Sequence, residues 1–322
     1  MKTCFPRSFF GVVAALLLLT GCGGAASAQA FTLPVLPDTQ IAVNRRPDML
    51  HSQVDWLAKN RRSLRIPIVL HVGDIVDWDN ETHWTTASRA FRTLDRAQVP
   101  YALAVGNHDT SAVGEFTGSA APGNTRVNLR KTEKFNRHFP VSRFTAQKGR
   151  YEPGKSDNAY YTFRAGGLDW LVVTLEFCAR PGPVDWAGEV IARHPGHNVI
   201  VLTHFHLTSR GEINQTNAGY GDLTTQAIYD RLIKKHANIL LVLSGHVVTS
   251  AWRTDTGEKG NTIYQLLQDY QSEDAGGGYI RLLDIDTKKG TISARMYSPF
   301  YDRTKEDASR FEFTNVRFVR GK

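Results

Sequence analysis

Five short apolar runs in this chain are each followed by a side chain that can bind a metal ion, and this pattern constrains the fold most. The runs and the residues after them are "LPVLP" and Asp38, "IPIVLHV" and Asp74, "YALAV" and Asn107, "VIVL" and His204, and "LLVLS" and His246. Short apolar runs bounded in this way are typical of buried strands. Because ligands bind beyond the carboxyl ends of strands in open α/β sheets, the five strand ends predict one shared site.

The order of the segments predicts an α/β fold. Apolar residues at helical spacing occupy residues 50–57, between the first two runs, and residues 84–94, between the second and third. The order strand, helix, strand, helix, strand indicates a parallel sheet covered by helices. Further strand candidates at residues 160–165 and 168–175 flank Gly166-Gly167 and predict a hairpin, and three more lie within residues 261–298.

The N-terminus has the pattern of a secretory signal. Lys2 and Arg7 precede an apolar run over residues 9–19, which is too short to span a bilayer as a mature helix. The following "LTGC", which ends at Cys22, resembles the bacterial lipobox. We therefore predict export to the cell envelope, with the protein in the periplasm or anchored to the outer membrane.

The predicted domain organisation follows from this processing. Residues 1–21 form the signal peptide, Cys22 is lipidated, and residues 22–30 form a flexible tether. Cleavage by ordinary signal peptidase after residue 28 or residue 30 is the alternative. Residues 31–322 form a single domain in which a polar insertion at about 110–158, with one helix near residues 130–139, is expected to lie over the surface.

Charge and cysteine content limit the partners. The formal net charge is +8 and falls by the two charges of Lys2 and Arg7 when the signal is removed, which suits anionic substrates or membrane surfaces. We find no nucleic-acid-binding motif, so nucleic acid enters only as a candidate substrate. Cys178 is the sole cysteine beyond the signal, so this body forms no internal disulfide. The oligomeric state stays open.

The donor types at the strand ends suit a pair of divalent cations. Carboxylate, amide and imidazole groups without a thiolate fit Mn, Fe or Zn better than Ca. A bridging carboxylate holds two such ions about 3.5–4 Å apart in sites that hydrolyse phosphoryl groups. The sequence therefore predicts two divalent metal ions, either Mn, Fe or Zn.

These motifs resemble those of the calcineurin-like metallophosphoesterase superfamily over residues 31 to about 300. They are Asp38-x-Gln40, Gly73-Asp74-x-x-Asp77, Gly106-Asn107-His108-Asp109, His204 and Gly245-His246. The resemblance implies a four-layer α-β-β-α sandwich with two mixed sheets and two metals at one edge. It also implies hydrolysis of a phosphomonoester or phosphodiester, on a small molecule or a diester substrate, by a metal-bridging hydroxide.

The resemblance also assigns roles to residues of this chain. It implies that the first metal is bound by Asp38 and Gln40, that both metals are bound by Asp74, and that the second metal is bound by Asn107, His204 and His246. His108 would be the general acid that protonates the leaving oxygen, and Asp109 would orient the His108 ring. Asp77 is expected to contact ligands rather than metal, and Asp79 to be solvated.

Two positions depart from the family pattern. Gln40 stands where many members have His, and Val248 stands where the usual Gly-His-x-His motif has its last His. Because Val248 cannot bind metal, we predict that the first metal is weakly held or is a softer ion. His206 is a candidate replacement ligand, and it alternatively lines the substrate cleft or is a surface residue. Glu176, at another strand end, is a candidate for support of the ligands.

Other polar residues leave further alternatives open. Arg126, Arg130 and Arg143, within the insertion, either bind substrate phosphate or form a solvated surface. No tyrosine occupies the position at which purple acid phosphatases bind iron, where this chain has Asp77-Trp78, so a coloured di-iron centre is not expected.

Three rival functions remain. Val248 favours a degenerate lipoprotein that binds one metal without catalysis, whereas His108 and Asp109 favour an enzyme. The net positive charge also allows an extracellular nuclease or a lipid-head-group diesterase. A protein phosphatase rests on fold analogy alone.

Overall fold

The computed structural model describes residue 1, residues 29–113 and residues 124–321. Residues 2–21 of the predicted signal peptide, the predicted lipidation site Cys22 and residues 23–28 of the predicted tether lie outside these residues. Within them, no helix has both the length and the apolar composition needed to cross a membrane.

The strands, numbered in chain order, are β1 (Ala30–Leu36), β2 (Val69–His71), β3 (Tyr101–Leu103), β4 (Gln147–Arg150), β5 (Ala159–Ala165), β6 (Leu168–Thr174), β7 (Asn198–Leu202), β8 (Ile239–Ser244), β9 (Ser250–Thr256), β10 (Thr262–Gln268), β11 (Ile280–Asp286), β12 (Thr291–Ser298), β13 (Arg303–Lys305) and β14 (Phe311–Phe313). The α-helices are α1 (Gln40–Arg45), α2 (Pro47–Asn60), α3 (Glu81–Arg96), α4 (Thr125–Asn128), α5 (Glu133–His138), α6 (Pro181–Ala192) and α7 (Thr225–Arg231).

The strands form two mixed sheets. The first has the order β13-β12-β11-β1-β2-β3, with β14 paired to β12. Its β1, β2 and β3 are parallel, whereas β11 runs antiparallel to β1. The second has the order β4-β5-β6-β7-β8-β10-β9, in which β6, β7, β8 and β10 are parallel. The predicted α/β class with two mixed sheets is confirmed.

Alternation along the central strands creates the layers. On β6, Trp170 and Val172 belong to the core shared with the first sheet, and Leu171 and Val173 belong to a second core. This alternation is expected because successive side chains of a strand point to opposite faces. The second core includes apolar residues of α6 and α7, and the first includes the buried faces of α2 and α3. The order helix, sheet, sheet, helix is therefore the predicted four-layer sandwich.

Local sequence explains several boundaries. Pro47 and Pro181 are the first residues of α2 and α6, where a missing N–H group costs nothing. The Asn80 side chain accepts a hydrogen bond from the backbone N–H of His83 and caps α3. Gly166-Gly167, both at positive φ, join the antiparallel β5 and β6 and confirm the predicted hairpin.

The described part of the insertion is mostly exposed or half-buried, and a few of its aromatic residues attach it to the main core. Phe135 and Phe139 are fully buried, and the Phe139 ring centroid lies 5.4 Å from that of Phe91 on α3. The Arg143 guanidinium lies 4.6 Å from the centre of the Phe139 ring. The aromatic residues of this segment pack into the main core because α3 leaves an apolar face open to them.

Candidate metal centre

The ends of β2, β7 and β8 bring three predicted ligands together. The candidate ligand atoms of Asp74, His204 and His246 all lie within 4.8 Å of one another. His204 Nε2 is 3.1 Å from Asp74 Oδ2 and 3.2 Å from His246 Nδ1. Asp38, after β1, places Oδ2 3.9 Å from His204 Nε2. The structure thus brings together residues from both sheets at one edge, as the strand-end pattern predicts.

The two amide side chains join the same cluster. The Asn107 Oδ1 atom lies 3.0 Å from His246 Nδ1, and the Gln40 side-chain amide donates to Asp74 Oδ2 at 3.1 Å. Gln40 Oε1 and Asp38 Oδ1 are buried and have no hydrogen-bond partner among the described residues. Orphaned buried acceptors are rare in folded proteins. Their presence beside carboxylate and imidazole groups fits a site for divalent cations.

Close backbone approach at this edge requires glycine at two positions. A Cβ atom at Gly106 would overlap Asp74 Oδ1, and one at Gly245 would overlap Asp38 Oδ1. Asp74 and His246 themselves have φ values of 53° and 70°. Non-glycine residues rarely adopt this left-handed conformation, and residues that do so are concentrated at functional sites.

Buried charge shifts the pKa values in the cluster. Burial, followed by the charges of Asp269 and Asp74, raises the pKa of Asp38. Burial alone would raise the pKa of Asp74, but the neighbouring His204 and His108 hold it below its usual value. Burial lowers the pKa of His204, but the neighbouring Asp74 carboxylate raises it. The pKa of His204 therefore lies above its usual value. No lysine or arginine among the described residues forms an ion pair with Asp38 or Asp74, so a cation would balance this charge.

His108 lies beside the cluster, and its ring is positioned by Asp77. The His108 backbone N–H donates to Asp74 Oδ1 at 2.9 Å. The His108 Nδ1 atom is 2.6 Å from the Asp77 carbonyl oxygen and 3.6 Å from Asp77 Oδ1. Asp77 also accepts a hydrogen bond from Asn44 at 2.6 Å. Asp77 contacts the cluster through His108, in agreement with its predicted supporting place.

The prediction that Asp109 orients His108 is wrong. Asp109 is fully buried, and its two oxygens accept hydrogen bonds from the backbone N–H groups of Ile75, Val76 and Gly106 at 2.8–3.2 Å. These bonds fix the loops on which Asp74 and Asn107 lie. Asp109 therefore supports the ligands through the backbone.

Asp79 is buried rather than solvated, so that prediction is also wrong. Its carboxylate accepts hydrogen bonds from Trp84 Nε1 at 2.8 Å and from Ser111 Oγ at 3.2 Å, and it lies 3.1 Å from Lys134 Nζ. Asp79 ties the loop after β2 to α3 and to the insertion.

His206 has none of its three predicted roles, which were metal ligand, cleft residue and surface residue. Its ring is buried, and Nε2 lies 2.6 Å from Gln265 Oε1 on β10. Burial lowers the pKa of His206 to about 4. His206 is a neutral core histidine, because the backbone after β7 does not continue as the regular strand that would place it beside His204.

Glu176 contacts arginines rather than the ligands. Its carboxylate accepts hydrogen bonds from Arg180 at 2.8 and 2.9 Å and lies 3.3 Å from Arg130. The next residue, Phe177, has its ring centroid 5.2 Å from that of His246 and 5.7 Å from that of His204. Glu176 therefore holds the strand end from which Phe177 packs against both histidines.

The three arginines of the insertion are engaged within the protein. Arg126 and Arg130 both pair with Asp222, and Arg143 lies 2.8 Å from Asp95. Arg130 also donates to the carbonyl oxygens that follow Glu176. Both predicted alternatives, phosphate binding and a solvated surface, are therefore wrong for Arg130 and Arg143, whose side chains are mostly buried.

One residue near the cluster was missed from the sequence. Asp269 follows β10 directly and is fully buried. The signal was available, because "TIYQLLQ" is a further apolar run that ends in an aspartate. Val248, which stands where the usual motif has its last His, is 46% exposed, whereas Asp269 is fully buried.

The fold and the metal-ligand cluster are those of the metallophosphoesterase class of proteins. The calcineurin-like phosphoesterase family matches residues 35–250, and the chain belongs to that family. An uncharacterized protein of Bacillus subtilis (strain 168), YvnB, is 28% identical over 280 residues, which cover 84% of this chain and 20% of YvnB. The chain therefore spans about a fifth of the length of this curated relative.

Two solved structures show the same fold. A dimetal phosphatase from Danio rerio, LOC 393393, has a TM-score of 0.53 and 15% identity, over 88% of this chain and 98% of that chain. The purple acid phosphatase PPD1 from yellow lupin (Lupinus luteus) seeds has a TM-score of 0.53 and 13% identity, over 88% of this chain and 54% of that chain. At these identities the likeness concerns the fold alone.

Proposed function

We propose that this protein is a metal-dependent phosphoesterase that hydrolyses phosphomonoester or phosphodiester bonds. The observation that carries the proposal is the convergence of Asp74, His204 and His246 beside orphaned oxygens of Asp38 and Gln40. Membership of the calcineurin-like phosphoesterase family supports the same reaction class.

The ligand set divides into two halves that share Asp74. Asp38, Gln40 and Asp74 would hold a first divalent ion, and Asp74, Asn107, His204 and His246 would hold a second. A pair of Mn, Fe or Zn ions would lower the pKa of a coordinated water and neutralise charge on the phosphoryl oxygens. The buried carboxylates and imidazoles would hold these ions and would keep bulk water from one side of them.

His108 supplies the proton for the leaving group. Its Nδ1 atom is held by the Asp77 carbonyl oxygen, which accepts the Nδ1 proton. Its Nε2 atom has no partner among the described residues, and the side chain is 15% exposed at the rim of the cluster. Nε2 is then the atom from which His108 would donate a proton to the leaving oxygen, as a general acid requires.

The first test compares p-nitrophenyl phosphate with bis-p-nitrophenyl phosphate. Metal-stripped protein is assayed after addition of Mn²⁺, Zn²⁺, Fe²⁺ or Mg²⁺. We expect metal-dependent turnover that falls about 10²–10⁴-fold in His108→Ala while metal content stays unchanged. The ratio of the two rates separates a monoesterase from a diesterase. Absence of turnover with every metal would instead favour the degenerate binding protein.

The diesterase alternative has its own test. A nuclease that contacts several phosphates loses affinity steeply with salt, whereas hydrolysis of a small diester does not. Activity on polymeric DNA measured from about 50 to 200 mM salt separates the two, because counterion release sets the slope.

The proposed location rests on the sequence around Cys22. We propose export and lipid anchoring at the cell envelope. Cys22→Ser should abolish incorporation of a labelled fatty acid and move the protein from the membrane fraction to the soluble periplasmic fraction. Unchanged membrane association of Cys22→Ser would contradict lipid anchoring.

A further inference from the structure

Asp269 lies beside the predicted first metal site. The parallel β8 and β10 are in register with Ser244 opposite Leu267, so Asp269 leaves the sheet level with His246. The backbone N–H of Asp269 donates to the carbonyl of Thr249 at 2.9 Å, which holds it against the turn after β8.

The same turn contacts Asp38. The backbone N–H of His246 donates to Asp38 Oδ2 at 3.0 Å, and the Gln268 amide donates to the carbonyl of Val35 on β1 at 3.1 Å. These hydrogen bonds place Asp38 on one side of the turn after β8 and Asp269 on the other.

His204, at 3.1 Å from Asp74 and 3.9 Å from Asp38, faces three buried carboxylates that no described lysine or arginine balances. Asp38, Asp74 and Asp269 are all buried, and no lysine or arginine of residues 29–113 or 124–321 forms an ion pair with any of them. The Asp269 carboxylate accepts hydrogen bonds from the backbone and side-chain N–H groups of Gln271, at 2.9 Å each. Buried carboxylates without a counter-charge are strongly destabilising.

A second observation points into the same space. Asp38 Oδ1 and Gln40 Oε1 are orphaned although both residues are about 2% exposed. The Gln40 amide donates to Asp74, so its oxygen lies within the carboxylate cluster. An unpartnered amide oxygen and an unpartnered carboxylate oxygen among three buried carboxylates fit an oxygen-lined cation site.

We propose that Asp269 is a ligand of the first metal and replaces the histidine that is missing at Val248. The proposal rests on the two-metal site of the proposed function. The first ion is then bound by oxygens alone, from Asp38, Gln40, Asp74 and Asp269. Such a set favours a hard cation such as Mn²⁺ or Mg²⁺, whereas the imidazoles of the second site suit Zn²⁺ as well. This replaces the expectation of a weak or softer first ion, which rested on Val248 alone.

The test is a metal titration of Asp269→Asn. The asparagine keeps the size of the side chain and an acceptor for Gln271, so a turn-forming role of Asp269 survives the change. Metal-stripped protein is titrated with Mn²⁺ by calorimetry, and bound metal is counted after equilibrium dialysis. We expect two ions in the wild-type protein, and in Asp269→Asn one retained ion and one whose affinity falls by about 10-fold or more, since even outer contacts of metal ligands contribute 10–100-fold.

Asp157→Asn is the matched control. Asp157 is likewise buried, but it bonds to Thr132 and Asn136 in the insertion. This variant should bind two ions with wild-type affinities. Two ions bound by Asp269→Asn with unchanged affinities would overturn the proposal.

A second variant distinguishes loss of a metal ligand from misfolding of Asp269→Asn. Val248→His, added to Asp269→Asn, should restore the lost ion and shift its preference from Mn²⁺ toward Zn²⁺, because it supplies the imidazole of the usual motif. A folded double variant that still binds one ion would count against the proposal. Metal counting needs no substrate, so the Asp269 proposal can fail while phosphoesterase activity stands, and the reverse also holds.

Discussion

The Asp109 carboxylate connects two loops that carry predicted ligands. It accepts backbone hydrogen bonds from residues 75–76, after Asp74, and from Gly106, before Asn107. A buried aspartate in this place determines the positions of the ligands, because both of its oxygens accept hydrogen bonds from the backbone beside them.

We therefore expect Asp109→Ala to behave differently from His108→Ala. The alanine leaves three buried N–H groups unpaired, at about 1–3 kcal/mol for each one that water does not reach. Unfolding in urea should show a clear loss of stability, and the Mn²⁺ titration should show weaker binding. His108→Ala should lose turnover alone. Wild-type stability together with lost turnover in Asp109→Ala would contradict this division of roles.

Asp157 allows a pH test at a residue away from the metals. Burial raises the pKa of Asp157 to about 6. The folded state then binds more protons than the unfolded state between about pH 4 and pH 6, so the wild-type protein loses stability as pH rises through this window. Asp157→Asn removes that loss. Relative to wild type, this variant should gain about 1–3 kcal/mol in free energy of unfolding between pH 4 and pH 7.

Asp185→Asn is the control for the sign of this effect. The exposed Asp185 pairs with Arg231, which lowers the pKa of Asp185. The wild-type protein gains stability from this pair as pH rises, so Asp185→Asn should show a small change of opposite sign. Parallel pH profiles for the wild type and Asp157→Asn would contradict the buried-carboxylate argument.

At the scale of strands, most residues of the candidate site could be predicted from the sequence. Parallel strands bring their carboxyl ends to one edge, so residues such as Asp74 and His204, over a hundred positions apart, are predictably neighbours. This rule does not predict the hydrogen-bond partners of residues that lie further beyond a strand end. Asp79, Asp109 and His206 each found a partner on another element, and no local pattern specifies that partner.

The buried anchors of the insertion were not predictable, for a related reason. Its composition is polar on average, which predicts a surface segment. Three phenylalanines within it nevertheless pack against α3 and β3, and few apolar residues suffice when each is large. Composition describes the whole segment, whereas packing depends on which residues meet the open face.

The loop between β3 and the insertion offers a steric test. The Cβ atom of Gly106→Ala would overlap both the side chain and the backbone nitrogen of Asp74. Backbone cannot yield as a flexible side chain can, so Asp74 must shift. We expect a loss of metal affinity of about 10-fold or more, by analogy with other changes that misplace ligands, and a lower melting temperature.

Gly188→Ala is the matched control in α6. A Cβ atom there meets only ordinary contacts, at 3.5 Å from His236 and 3.6 Å from Leu232. Alanine in a helix interior should stabilise the protein by about 0.5–1 kcal/mol and leave metal binding unchanged. Equal effects of the two substitutions would show that the contact at Gly106 does not position Asp74.

At the scale of the whole molecule, the candidate ligands come from both sheets. Asp38, Asp74 and Asn107 follow strands of the first sheet, and His204 and His246 follow strands of the second. Ions bound among them would connect the two layers at one edge. Metal binding should therefore stabilise the packing of one sheet on the other as well as the site.

Removal of metal tests this connection. A ligand that binds only the folded state at 1,000 times its Kd adds about 4 kcal/mol of stability, so a chelator should lower the melting temperature by several degrees. Amide hydrogen exchange should quicken at residues 38–40 and 73–75 of one sheet and 203–205 and 245–247 of the other, but not in the hairpin of β5 and β6. His246→Ala, which lacks one ligand, should respond less to the chelator. If the chelator changed amide exchange on one sheet alone, the ions would not connect the two layers. Metal binding would then stabilise only the loops of that sheet.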